Sequence, residues 1–331
     1  MNRKRWFALG IAVILFAVSI GFRFMSSLFA TDVEALFDAP QQQYQQEVIE
    51  QGTGNKIAVV ELDGVIQDIS TSSMLNSGGY NHDRFLKKLE DVGENRTVDG
   101  IILRVNTPGG GVVESDEIHD KIVEIQEEQD KPVYVSMGNQ AASGGYYVSA
   151  PADKIVAHPA TLTGSIGVIM QSINFAELAE DIGIDFNTIT SGEFKDIMSQ
   201  TREMTDEEQD ILQNMIDDMY ADFVQVIVDG RDMSESEVRD LGDGRVYTGR
   251  QAADNGLVDE LGSLEETAQV MKEDFDWPNA QVVEYKSGFE FNNFLGGWAQ
   301  SMFKNEEADL TAIQELIQQS DGPRAMYLYT K

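Results

Sequence analysis

Two side chains of this sequence could together cleave a peptide bond without histidine. Ser143 sits in Asn139-Gln140-Ala141-Ala142-Ser143-Gly144-Gly145-Tyr146-Tyr147, where small residues at a strand-to-helix turn would expose its hydroxyl. Lys195 follows in Ser191-Gly192-Glu193-Phe194-Lys195-Asp196. A serine hydroxyl becomes a useful nucleophile when an adjacent base takes its proton. A lysine amine serves as that base only once neutral, and its ordinary pKa of about 10.4 keeps it charged at neutral pH. Burial against apolar groups disfavours the charged form and lowers that value by several units. Phe194, Ile197 and Met198 flank Lys195 and would supply such a setting. Asp196 would oppose it if it faced the amine, although in an extended segment neighbouring side chains point apart. Alone, Ser143 reads equally as a packed helix start and Lys195 as a surface lysine. Together they suggest a serine peptidase.

Further residues fit around that pair. Asn106-Thr107-Pro108-Gly109-Gly110-Gly111 lies between a strand and a helix. Its glycines would let a ligand approach bare backbone amides, as an oxyanion hole requires, though a generic strand–helix turn looks the same. Ser165, in Thr163-Gly164-Ser165-Ile166-Gly167, could orient the lysine amine by hydrogen bonding, or be an ordinary loop serine. Several competing chemistries are excluded. No Gly-Lys dipeptide occurs, so there is no P-loop, and Glu114 stands where a dinucleotide fingerprint needs its third glycine. Ala141 breaks the Gly-x-Ser-x-Gly nucleophile motif. The three histidines, His82, His119 and His158, form no zinc-hydrolase motif. A Ser-His-Asp site using one of them stays open. Cysteine is absent, which removes thiol catalysis, disulfides and zinc–thiolate sites. No cofactor and no metal are expected.

The elements that must position these residues follow from periodicity. Near-continuous apolar runs at 57–60, 101–105, 133–136 and 154–157 read as buried strands, and Phe186–Ile189 as a fifth. Helical patterns fall near 82–93, 112–128, 142–150 and 174–182. Thr205 and Glu208 form a capping box ahead of an apolar stripe from Ile211 to Val226, read as core or subunit interface. Further helices are expected at 234–241, 248–255 and 264–274. Buried strands alternating with helices imply an α/β fold with a largely parallel sheet.

Both ends and the overall charge add context. Arg3, Lys4 and Arg5 precede an apolar stretch from Trp6 to Phe22, near the short limit for a membrane-spanning helix. Basic residues before it put the N-terminus in the cytoplasm and the bulk of the chain outside. A cleaved signal peptide ending at Ala30 competes, although Leu28 is bulky where a small residue is preferred. The expected division is an anchor over 1–30, a polar linker over 31–55, a peptidase domain over 56–275 and a C-terminal extension over 276–331. At the far end, Ala325-Met326-Tyr327-Leu328-Tyr329 follows Gly322-Pro323. This apolar segment reads as a flexible terminus or as a self-substrate or plug for the active site. The formal net charge over 331 residues is −33. Such a chain will not bind nucleic acid through phosphates, and it suits a salt-rich environment that screens self-repulsion.

Four motifs in order, Asn106–Gly111, Ala142–Tyr147, Leu162–Gly167 and Ser191–Lys195, resemble the signal peptide peptidase A family in its short, membrane-anchored Gram-positive form. The resemblance runs from the anchor to about residue 275. It implies a crotonase-like fold related to Clp peptidase subunits. It implies Ser143 as nucleophile, Lys195 as general base, Ser165 holding the lysine, and Gly110 with the Gly144 amide binding the oxyanion. It further implies a homo-octamer with sites built across neighbouring subunits, and ATP-independent degradation of released signal peptides and other unfolded apolar peptides at the cell membrane. A crotonase-like acyl-CoA enzyme and a non-catalytic membrane scaffold are the alternatives.

Overall fold

The computed structural model describes residues 44–68, 80–287 and 325–329. The expected anchor over 1–30 lies outside them. Among the described residues no helix is long and apolar enough to cross a membrane. In chain order the strands are β1 (Tyr44–Glu50), β2 (Lys56–Asp63), β3 (Gly100–Thr107), β4 (Gly109–Gly111), β5 (Val133–Ala142), β6 (Lys154–Ala157), β7 (Leu162–Gly164), β8 (Ile169–Met170), β9 (Val246–Thr248), β10 (Glu260–Leu261), β11 (Gln281–Ser287) and β12 (Ala325–Leu328). The helices are α1 (His82–Glu94), α2 (Val112–Glu128), α3 (Gly144–Tyr147), α4 (Ala176–Asp181), α5 (Asp206–Arg231), α6 (Glu235–Leu241), α7 (Gly249–Asp254) and α8 (Leu264–Asp274).

The main sheet has the order β1-β11-β2-β3-β5-β6-β10, with β7 on β5 and β9 on β7. Its centre is parallel: β11 with β2, β2 with β3, β3 with β5, and β5 with β6 and β7. Only β1 on β11 and β9 on β7 run antiparallel in this sheet. Alternation along the strands sends side chains to two cores. Ala58, Val60, Leu103, Val105, Val135 and Met137 face one side, under α1, α2, α3 and α5. Ile57, Val59, Ile102 and Tyr134 face the other, against Ala268 and Met271 of α8. Both faces are therefore covered, which is why these strands read as unbroken apolar runs. Each fully buried Ile or Leu contributes about 1.5–3 kcal/mol.

Helix starts obey local chemistry. Asn81 accepts a hydrogen bond from Arg84 N–H at the head of α1. Thr205–Glu208, Ser234–Glu237, Thr248–Gln251 and Ser263–Glu266 form full capping boxes on α5 to α8.

The structure departs from the sequence reading in four places. Residues 44–50, read as linker, are the edge strand β1. Residues 281–287, read as extension, form β11 and lie between β1 and β2. Phe186–Ile189, read as a strand, forms none. The segment 325–328, read as a flexible end, is strand β12, held between β4 and β8 in a second sheet.

Candidate active site

Strand β5 ends where β7 takes over from β6 as its neighbour, pairing Gln140–Ala142 with Leu162–Gly164. The next residue on each strand is a serine, Ser143 and Ser165, so this register sets the two beside one another. Ser143 N–H donates to Gly164 C=O at 2.7 Å, and Ser165 N–H to Arg245 C=O at 2.8 Å. Both serines have positive φ, 55° and 52°. With ψ at −116°, Ser143 lies outside the left-handed helical well. A side chain bears that conformation only where the surroundings enforce it, and such positions cluster at functional sites. Ser143 is 1% exposed, and its carbonyl accepts from Tyr146 and Tyr147 as α3 begins. Among the described residues no hydrogen bond engages its hydroxyl.

Two glycine segments meet at this serine. Gly109 takes a φ of +95° that favours glycine. A methyl on Gly144 would fall 3.2 Å from Gly110 N, so the two backbones touch. A methyl on Gly110 would strike Ile66 O at 1.7 Å. Glycine is thus required on both sides of a small space beside Ser143, at the start of α3 where amides lack intrahelical partners.

The strand β12 crosses that space. Met326 pairs with Gly111, Tyr327 with Gly110 and Leu328 with Gly109, antiparallel, while Ala325 and Met326 pair with Met170 and Ile169 on the other side. Tyr329 N–H donates to Pro108 C=O at 2.9 Å. Hydrogen-bonded pairs alternate along an antiparallel ladder, so Tyr327 and Gly110 form the next such pair. A methyl on Gly109 would lie 2.0 Å from Tyr327 O and 2.6 Å from Gly144 N. The Tyr327 carbonyl therefore lies against Gly109, on the side where the Gly144 amide also comes close.

The Tyr327 side chain fills an aromatic pocket. It stacks on Tyr147 at 4.9 Å between centroids, meets Phe223 at 4.7 Å, and its hydroxyl donates to Met219 C=O at 2.9 Å. Tyr147 donates to Asp116 at 2.7 Å. Burial, then Asp116, pushes the Tyr147 hydroxyl well above its ordinary pKa. Burial, then Asp222 and Asp116, does the same to Tyr327. Beyond Tyr327 the pocket opens into a cleft of about 770 Å³ between α2 and α5. Sequence reasoning missed Tyr147, Met219 and Phe223. Met219 and Phe223 were visible only as members of a helical stripe.

Lys195 is placed differently from Ser143. Residues 193–198 form consecutive turns rather than an extended segment, and Lys195 is exposed. Its backbone N–H donates to Gly192 C=O at 3.2 Å, but among the described residues its amine forms no hydrogen bond or ion pair, and none joins it to Ser143 or Ser165. The apolar shelter expected from its neighbours is incomplete: Met198 is buried, but Phe194 is itself exposed. Asp196 is turned to Arg202, which holds both of its carboxylate oxygens at 2.8 and 2.9 Å.

The histidines have other partners. His82 lies between Tyr80 and Glu117, each at 2.6 Å. His119 contacts Asp120, and His158 accepts from Ala160 N–H. Among the described residues, only Asp116, His119 and Asp120 form a group whose ligand atoms lie within 4.8 Å of one another. These side chains are engaged with Tyr147 and each other.

Comparison with known proteins adds the context that geometry lacks. The family model for Peptidase family S49 matches residues 125–277. An Enterococcus faecium protein named "Putative signal peptide peptidase SppA" is 36% identical over 344 aligned residues, covering 99% of both chains. Protease 4 of Haemophilus influenzae is 39% identical over 64% of this chain and 34% of its own length. The chloroplastic serine protease SPPA of Arabidopsis thaliana is 30% identical over 69% of this chain and 33% of its own.

Proposed function

Because the chain belongs to peptidase family S49, we propose that it is a membrane-anchored, ATP-independent serine endopeptidase acting on released signal peptides and other unfolded apolar peptides. The observation that carries this reading is β12. An extended apolar segment lies antiparallel on the glycine strand, with one carbonyl against Gly109 and close to the Gly144 amide, beside a strained serine. That is how a scissile peptide bond is presented. An extended peptide in this cleft also favours peptide over acyl-CoA chemistry.

Ser143 attacks the carbonyl carbon and gives up its proton to the neutral amine of Lys195. The oxyanion is received by the amides of Gly110 and Gly144. The protonated lysine then delivers the proton to the leaving amine, and water releases the acyl-enzyme by the same route in reverse. Ser165, beside Ser143, is suited to orient the amine. Because Lys195 is exposed and no hydrogen bond joins it to Ser143 among the described residues, our reading takes the base from a second copy, in a homo-octamer with composite sites. Large apolar side chains on the segment that precedes Lys195 in the chain support that assembly. Ile173 is 71% exposed, Ile189 is 99% exposed, and Leu178 and Ile182 are open as well. Large exposed apolar side chains of this kind are what one copy offers another. The anchor over 1–30 would hold this assembly on the outer face of the cell membrane, its N-terminus in the cytoplasm.

A fluorophosphonate probe tests the reading. It should label full-length protein at Ser143 alone, with loss of cleavage of an apolar peptide substrate. Unlabelled Ser143 in protein that still cleaves peptide would overturn the assignment.

A further inference from the structure

We propose that Arg202 is a positioning residue for the Lys195 base: it draws the neighbouring Asp196 carboxylate away from the amine and fastens the Lys195 turn to helix α5. This rests on the reading of Lys195 as general base.

The arrangement uses every donor nitrogen of the guanidinium. Nε and Nη2 bind the two carboxylate oxygens of Asp196 at 2.9 and 2.8 Å, and Nη2 also reaches the Asp196 carbonyl at 3.2 Å. Nη1 binds Glu208 Oε2 at 2.8 Å and the Glu203 carbonyl at 3.0 Å. A further bond joins Nη2 to Glu208 Oε1. Glu208 is the capping-box residue of α5, with only 3% of its side chain exposed. It also accepts from Thr205 N–H at 2.9 Å. One planar cation thus joins the turn that carries the base to the head of a long helix. Two forks on one guanidinium are a geometry that lysine could not reproduce.

The electrostatic consequence concerns the residue next to the base. In consecutive turns, a carboxylate adjacent to Lys195 could swing toward the amine, and an opposite charge a few ångströms away would hold it protonated. Arg202 removes that option by occupying both Asp196 oxygens. The other charged groups here are Glu193, on the same turn, Glu203, exposed beside Arg202 and tied to it through its carbonyl, and Glu208, already committed to Arg202. Asn174 and Phe175, which pack on residues 200–202 by hydrogen bonds, bring no charge. Arg202 and its hydrogen bonds hold the carboxyls of Asp196 and Glu208 below their ordinary range, as a committed cluster requires.

The test is the pH dependence of kcat/KM in the full-length assembly, paired with direct titration of Lys195 by competitive amine labelling in the Ser143→Ala background. Arg202→Ala should move the activity limb and the labelling midpoint together, up by about one pH unit. Adding Asp196→Asn to Arg202→Ala should return both to the wild-type position, and Asp196→Asn alone should leave them there. If Arg202→Ala does not fold, Arg202→Gln, which keeps a neutral donor, is read in the same way. Lost activity with an unmoved midpoint would make Arg202 merely structural and overturn the proposal. So would a midpoint that moves but is not restored by Asp196→Asn. Lys195→Ala separates the layers: if it remains active, the base assignment fails whatever Arg202 does.

Discussion

Ser143 occupies a backbone conformation that an L-residue adopts only under constraint, and the constraint comes from three directions. Its amide is tied to Gly164, its carbonyl starts α3, and the glycine segment closes over its side. The backbone that carries the hydroxyl is therefore set before substrate arrives, which favours an efficient attack. Replacing Ser143 by Ala should leave the fold and assembly intact and lower peptide cleavage by about 10⁴-fold or more. Residual turnover near the wild-type rate would remove Ser143 from the mechanism. Lys195→Ala and Lys195→Arg should both be inactive, because arginine does not deprotonate at usable pH. His82→Ala, His119→Ala and His158→Ala should each keep most of their activity, since each ring has a partner away from the serine. A dead histidine variant beside an active Lys195→Ala would reverse the assignment of the base.

At the scale of elements, β12 and the head of α5 make separate predictions. Tyr327 pairs with Gly110 and lays its carbonyl against Gly109 near the Gly144 amide, so the proposed mechanism offers the bond after it, to Leu328, for cleavage. Intact-mass measurement should find active protein shortened by Leu328–Lys331 and Ser143→Ala protein full-length. Equal masses would make β12 a plug that is not cut. On α5, Arg202 and the Thr205 hydrogen bonds lower the Glu208 carboxyl from 4.5 to about 2. A depressed carboxyl stabilises the fold at pH above its unfolded value, and that contribution fades as pH falls through the folded one. The advantage of wild type over Glu208→Gln in urea midpoint should thus be complete above about pH 4.5 and gone near pH 2. A pH-independent difference would show that the charge is not what matters.

How far these elements were legible depended on where their partners lie. Central strands and capped helices carry their own signals, an apolar run or a Thr-x-x-Glu box, and were read within a few residues. Strand β1 has only Tyr44 buried and is otherwise exposed glutamine-rich edge, so it lacks the alternation that marks a strand. Strand β12 exists because distant β4 and β8 accept it, a non-local fact. Phe186–Ile189 is apolar without a sheet to join, so its composition misled. The serine and its glycines were visible because their motifs are local. The pocket of Tyr147, Met219 and Phe223 was not, because it forms only when α5 packs across α3.

As a whole molecule the protein combines strong self-repulsion with an open apolar segment. A net charge of −33 opposes both folding and association, and salt screens it within about 10 Å at 0.1 M. Melting temperature should rise from dilute buffer to molar salt, and a flat response would show that the charges are already balanced locally. The proposed composite sites give a second test at this scale. Mixing inactive Ser143→Ala and Lys195→Ala chains under conditions that exchange subunits should restore cleavage, since some neighbours then contribute one intact residue each. No recovery from a mixture that does exchange would place both residues in the same chain's site.

Because β12 belongs to the chain whose cleft it fills, its access to that cleft does not fall on dilution. Tethering amounts to an effective concentration of order millimolar, and every incoming peptide must compete with it until cleavage releases Leu328–Lys331 and leaves the remaining Ala325–Tyr327 with a shorter ladder to hold it. Freshly made enzyme should therefore start slowly and accelerate, with a lag insensitive to enzyme concentration once assembled. A chain carrying Tyr327→Asp, whose new carboxylate meets Asp116 and Asp222 instead of fitting the aromatic pocket, should begin at full speed.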